Sequence, residues 1–333
     1  MVNTKISRLF PRWHGGELQS HHDIGPSGRT PRLALVADPQ SGELNGMFVL
    51  SRLAAFLHGV EAGKRPGLQL RERLVIISTL GPFAVLHPSG VGSRQGAVDT
   101  AVDQPRWEGA AVDAVMDITQ TAYYRVDIHP LSLEIEELPQ ISLYAPSDDE
   151  RASACLFGLP AVIERPVEDD RATELVRAWR THGGESFAIH AGQAGSLQTT
   201  HCEALFRGLV AFLDRTGIVS GLRLAPEEDD LRYFDRSQIC VVPAEQAGIF
   251  SSRLEVGCWV RAGEELGRIY DGFTGGVQTR VIAPVGGLLA SVRRQPMVRP
   301  GDLTARILMA GAARQRHPVR WLEKRHGRQT GQR

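Results

Sequence analysis

Aromatic residues make up only 6% of the chain, and its four cysteines, Cys155, Cys202, Cys240 and Cys258, are widely spaced. No pair has CxxC spacing, which excludes a zinc ribbon and a thioredoxin-like motif. The cysteines read as buried small hydrophobes in a reducing compartment. Charge of one sign is also lacking: 38 basic and 38 acidic residues give a formal net charge of zero. The chain as a whole therefore offers no electrostatic footprint for nucleic acid. No apolar run reaches the roughly 18 residues of a membrane span. The start, "MVNTKISRLFPRWHGGE", has no apolar core followed by a small-residue cleavage site. A soluble, cytoplasmic protein is expected, without nucleic-acid or membrane partners.

What is present is a core. With 333 residues and 42% hydrophobic content, one large and one small domain are the natural expectation. Residues 1–30 are polar and Gly/Pro-containing and read as an arm. Its "SHHD", Ser20 to Asp23, is metal-like in composition but fits a solvated segment. Residues 31–222 alternate strand-like and helix-like segments. "RLALVAD", "ERLVIIST", "PFAVLHPSG", "AYYRVDIH", "QISLYAP", "PAVIE" and "ESFAIHAG" read as strands. Apolar spacing puts helices over Leu44–Val60, Ala110–Thr119, Ala152–Leu156, Asp170–Thr181 and Thr199–Arg215. This alternation predicts an α/β fold with a mixed sheet covered by helices on both faces. Residues 88–108 lack periodicity, and a loop that long in a compact domain is usually functional.

The pattern changes over residues 236–310. Short strands, Gly/Pro turns and two similar halves, each with a Val-x-x-Gly-(Glu/Asp) turn, predict a small all-β, barrel-like domain. Residues 311–333 form a basic tail, in which Arg314, Arg316, Arg320, Lys324, Arg325, Arg328 and Arg333 face one acid, Glu323. A solvated terminus explains it, since no aromatic-basic interleaving accompanies the charge.

The chemistry-bearing stretch is "LVADPQSGELNGMFVL", a buried strand, a tight turn and a helix. A carboxylate at a strand's C-terminal end in an α/β sheet is where ligands gather. Further on stand "HPSG", "DQPR", "DIH" and "AIHAG". In this order the motifs resemble the succinylglutamate desuccinylase/aspartoacylase family of zinc-dependent deacylases, from about Arg32 to about Leu308. The resemblance implies a zinc carboxypeptidase-like fold. It also implies a first metal motif at "QSGELNG", where Glu43, Asn45 and Gly46 match but Gln40 stands at the first ligand position. The intact "DIH" supplies Asp127 and the ligand His129. His87 stands where the family has Asn. Arg94 matches a family arginine, and in "DQPR" Asp103 and Arg106 match while Pro105 replaces Asn. The general-base Glu is replaced by His190. Arg94, Arg106 and Asn45 would bind substrate, with Glu43 and His129 as metal ligands.

A hydrolytic zinc site needs three protein ligands and an open position for water. Gln40 offers only a neutral carbonyl oxygen, a poor zinc donor beside imidazole. Two readings follow. In the first, the chain is a degenerate homologue that keeps an anion-binding cleft for a small carboxylate and acts as a subunit, in a homo- or hetero-oligomer, beside an active relative. In the second, it is an active metal-dependent deacylase on an N-acyl amino acid or similar carboxylate, with zinc held by a rewired set that recruits His190 or His87. The C-terminal module also resembles biotinyl/lipoyl domains, but its tips, "GFTGG" and "PVGGLLAS", carry no lysine to modify.

Overall fold

The computed structural model describes residues 21–37, 43–78, 110–169, 171–222, 224 and 232–309. Gln40, His87, Arg94, Asp103, Pro105 and Arg106, the expected strand "PFAVLHPSG" and the basic tail lie outside the described residues. The strands are β1 (His22–Ile24), β2 (Leu33–Ala37), β3 (Gln69–Leu70), β4 (Leu74–Ile77), β5 (Tyr124–Ile128), β6 (Ile135–Tyr144), β7 (Ala161–Arg165), β8 (Glu185–Gly192), β9 (Val219–Ser220) and β10 (Arg232–Phe234). They continue as β11 (Ile239–Pro243), β12 (Gly248–Ser252), β13 (Trp259–Val260), β14 (Glu265–Tyr270), β15 (Val277–Ile282), β16 (Gly287–Arg293), β17 (Met297–Val298) and β18 (Leu303–Met309). The helices are α1 (Leu44–Glu61), α2 (Ala110–Thr119), α3 (Asp148–Ala154), α4 (Glu174–Trp179) and α5 (Thr199–Arg215).

β4, β2, β5 and β8 run parallel, so their C-terminal ends share one edge. β6 enters antiparallel to β8. β2 and β4 are apolar on both faces because both faces are covered, as expected for buried parallel strands, while β5 and β8 carry the buried polar residues Arg125, Asp127, Ser186 and His190. On one face Leu33, Leu35, Val126, Ile128, Phe187 and Ile189 pack with Leu50, Leu53 and Leu57 of α1 and Leu205, Leu209 and Phe212 of α5. The alternate residues, Val36, Val75, Ile77 and Ala188, pack on the other face with Val115 of α2 and Leu175, Val176 and Trp179 of α4. The period-2 alternation of β2, β4 and β8 thus feeds two separate cores, and β5 feeds the first.

β6 is longer than its sequence suggests. The segment "IEELP" contains two acids and a proline, yet Ile135–Glu137 pairs with Arg293–Ser291 of β16, while Gln140–Tyr144 pairs with β7. The register against β8 slips between Glu137 and Gln140, at Pro139. A proline with no N–H to donate is tolerated at such an irregularity. Through β6 the sheet runs on without a break into β16, β18 and β11.

A second sheet, β15-β14-β12-β17, packs on that extension around Phe250, Ile269, Leu289 and Ile307. The two halves of the expected repeat are explicit here. Gly263 and Gly301 have φ of +86° and +91°, which a side chain rarely tolerates. Each follows a buried valine, Val260 or Val298. Glu264 accepts from Arg261 N at 2.9 Å, and Asp302 accepts from Arg299 N at 2.8 Å.

The segment expected as an arm ends in structure. Residues 22–24 form edge strand β1 against β4, and Asp23 takes two bonds from Arg73, at 2.7 and 2.8 Å. The His21–Asp23 part of "SHHD" is thereby pinned to the sheet, with His21 buried and His22 Nδ1 3.3 Å from His58 Nε2. Of the cysteines only Cys202 is buried, and the other three are half-buried. No described helix is long and apolar enough to cross a membrane.

Candidate functional site

Glu43, Asn45, His129 and His190 all stand at the C-terminal edge of the parallel strands. Glu43 is the N-cap of α1. Its carboxylate accepts the Gly46 N–H, satisfying one of the donors that a helix start leaves open. Gly46 is needed for this approach: a Cβ there would meet Ile128 Cγ2 at 2.7 Å. The α1 N-terminus is therefore seated on the end of β5, beside the backbone that carries His129.

Asn45 was expected on the substrate side. Its amide bridges two backbone segments: Nδ2 donates to Ala191 O at 3.3 Å, and Oδ1 accepts from Gln198 N at 2.7 Å. With 1% exposure it clamps α1 to the end of β8 and the start of α5. Gly192 makes room for it, since a Cβ there would lie 2.4 Å from Asn45 Nδ2.

His129 follows β5 directly, and its N–H donates to Ile189 O at 3.0 Å. Its Nδ1 lies 3.1 Å from Asp127 Oδ2, and the same oxygen accepts from Thr173 Oγ1 at 2.7 Å. Thr173 is also the N-cap of α4. A carboxylate behind an imidazole is the arrangement that orients a ligating or basic histidine.

His190, expected at the family's general-base position, is wholly buried. Its Nδ1 lies 3.1 Å from the carbonyl oxygen of His129, and the two rings meet edge to face at 4.4 Å. A carbonyl only accepts, so Nδ1 carries the proton. Burial holds the His190 pKa well below 6.5, with His129, Arg165 and Arg171 adding to the effect. The ring is neutral at physiological pH, with Nε2 unprotonated.

Residues that the sequence reading passed over complete this region. Arg165 is buried, donates to Ser142 Oγ at 3.2 Å and lies 3.5 Å from Asp169. Arg306, from the C-terminal β region, bonds Glu137 of β6 at 2.8 Å, and burial pushes its pKa down to about 10. Glu136 binds His201 at 2.7 Å and Arg294, and although burial alone would raise its carboxyl, these partners hold it low. The only cue in the sequence was the acid pair in "EELPQ", inside a segment that did not read as a strand.

The donor set can be tested against zinc. Among the described residues, no group of three or more His, Cys, Asp or Glu side chains could hold a metal ion. Glu43 caps α1 through one carboxylate oxygen, and His190 Nδ1 meets a carbonyl. The described residues do not make the three-ligand set that a hydrolytic zinc requires.

The fold is that of the succinylglutamate desuccinylase/aspartoacylase structures. No protein-family model matches the chain, and no curated protein does. Among solved structures it is similar to the product-bound ectoine utilization protein EutE (DoeB) from Ruegeria pomeroyi. The TM-score is 0.65 and the identity 21%, over 89% of this chain and 90% of that one. It is similar to a succinylglutamate desuccinylase/aspartoacylase from Rhodobacter sphaeroides, with TM-score 0.63 and 19% identity over 88% and 89% of the two chains. A putative member from Shewanella frigidimarina gives TM-score 0.66 and 13% identity over 93% and 98%.

Proposed function

We propose that this chain is a degenerate homologue of the succinylglutamate desuccinylase/aspartoacylase family that binds a small carboxylate without hydrolysing an amide. The observation that carries the reading is His190. The family's chemistry needs a base beside a metal-bound water at that position. Here a neutral, wholly buried imidazole has its Nδ1 on a backbone carbonyl. Gln40 at the first ligand position and Glu43 on the helix cap support the same conclusion. The anion-binding part rests on Arg94 and Arg106, which match family arginines. A guanidinium needs no metal to pair with a carboxylate. A protein of this kind acts in an assembly beside a catalytically complete relative.

Calorimetric titration with small mono- and dicarboxylates tests the reading. Arg106→Ala should weaken binding by about 1.5–3 kcal/mol, the range for a charged hydrogen bond. Unchanged affinity for every carboxylate that binds the wild type would remove the anion-binding half.

A second reading, an active deacylase through a rewired metal set, draws on one observation. His129 and His190 lie ring against ring, with a carboxylate behind His129. It would need a third ligand from outside the described residues.

A further inference from the structure

β1 and α1 each bring one histidine to a polar cluster away from the site described above. His58 stands in the last turn of α1, fifteen residues beyond Glu43 and so about 22 Å along the helix from the C-terminal sheet edge. His22 begins β1, opposite Ile76 of β4. Its Nδ1 lies 3.3 Å from His58 Nε2, and the rings meet edge to face with centroids 5.4 Å apart. Behind His58, Nδ1 lies 3.4 Å from Glu61 Oε2, while Glu61 Oε1 accepts from Gly25 N at 3.0 Å.

A carboxylate only accepts, so His58 Nδ1 carries the proton and Nε2 presents a lone pair to His22. Burial lowers the His22 pKa from 6.5, with His58 and His21 adding to the effect, so that ring is neutral at physiological pH. Two metal–nitrogen bonds of about 2.0–2.1 Å at a near-tetrahedral angle hold their nitrogens about 3.3–3.4 Å apart, which matches the 3.3 Å between these rings. The same separation is long for a hydrogen bond, whose N–H···O counterpart spans about 2.7–3.2 Å. A carboxylate on the far nitrogen of an imidazole is the arrangement that orients a metal-ligating histidine. Asp23, beside His22, is engaged by Arg73.

We propose that His22 Nδ1 and His58 Nε2 chelate one divalent transition-metal ion, with Glu61 holding His58 from behind and water filling the other positions. Uptake needs only that His22 carry its proton on Nε2 instead of Nδ1, so no net proton is released. The His58 and Glu61 side chains are 20% and 39% exposed, which lets water reach the ion. No group of three or more ligating side chains forms among the described residues, so the site is an exchangeable one and not a closed structural zinc. Two imidazoles favour copper(II) over zinc, and either over magnesium or calcium, which take oxygen ligands. The bound ion ties edge strand β1 to α1. The inference stands apart from the proposed function, whose described residues lie at the other end of α1.

Titration of the full-length protein with copper(II) and with zinc near neutral pH tests it. Copper(II) should bind about ten-fold or more tightly than zinc. His22→Asn and His58→Asn should each weaken both metals by about ten-fold or more, and Glu61→Gln should weaken them less. His190→Ala should leave this binding in place, which separates it from a metal at the sheet edge. In nitrogen-15 spectra of the wild type, His22 Nδ1 and His58 Nε2 should shift together as zinc is added, a reading that needs no variant to fold. Unchanged affinities in both histidine variants, or a loss in one of them alone, would overturn the inference and leave the pair as a hydrogen bond between neutral rings. A shift at only one of the two rings would overturn it as well.

Discussion

Two stations at the same sheet edge carry polar residues, and they are finished differently. At the start of α1, Glu43 caps the helix and both ends of the Asn45 amide are taken by backbone. At the end of β8, one strand beyond β5, His190, Gln140 and Glu137 each keep a buried acceptor with no partner among the described residues. The first station is satisfied from within the chain and acts as a clamp. The second leaves these acceptors without a partner among the described residues. Residues expected at a ligand site can thus serve the fold, while residues beside them keep unpartnered polar atoms.

The largest effect expected from breaking this contrast is at the clamp. Asn45→Ala leaves the buried Ala191 O and the half-buried Gln198 N without these bonds. An unsatisfied buried group costs about 1–3 kcal/mol, so a loss of about 3 kcal/mol in denaturant unfolding is expected. A loss below about 1 kcal/mol would mean that water replaces the amide and that Asn45 is not a clamp.

Next comes the pH dependence at the second station. The folded-state pKa of His190 is depressed by burial from 6.5, so the unfolded chain binds the extra proton first. Stability from the neutral ring is present above about pH 6.5 and falls as pH drops below it, by up to about 1.4 kcal/mol per pH unit for one proton. His190→Phe should flatten the acid limb of the stability curve. An acid limb unchanged in that variant would show that another group carries it, and His22, whose pKa is also lowered by burial, would be examined next.

The smallest effect is at the helix cap. Glu43→Ala should cost about 1 kcal/mol, a usual price for a lost N-cap, and Glu43→Gln, which keeps an acceptor, should cost less. Thermal shift with added zinc sharpens this result. If Glu43 is a cap and not a ligand, zinc should not stabilise the wild type more than Glu43→Gln.

Much of the fold was legible. The limits of α2 and α5 follow from apolar spacing alone, and the Val-x-x-Gly-(Glu/Asp) repeat marked two turns that the structure builds alike around Gly263 and Gly301. The first half of β6 was not legible. Its acids and proline argue against a strand, and the partner that makes it one, β16, lies about 155 residues further along the chain. The edge position of Glu43 and His129 could be read from strand ends. The engagement of Glu43 and Asn45 could not, because it depends on backbone groups of α1, β8 and the segment before α5. The tautomer of His190 is likewise set by a carbonyl on the neighbouring strand, which no local pattern reveals.

The central claim is that this site does not hold a hydrolytic zinc. Its most direct test is metal analysis and zinc titration of wild type purified without chelator, with hydrolysis of N-acyl amino acids followed in parallel. The account predicts substoichiometric zinc and no turnover. It predicts sharply tighter zinc binding in Gln40→His, which adds an imidazole three residues before Glu43 in the sequence, and still no turnover until His190→Glu is added. One tightly bound zinc per wild-type chain, lost in His190→Ala, would contradict it and establish a rewired metal site.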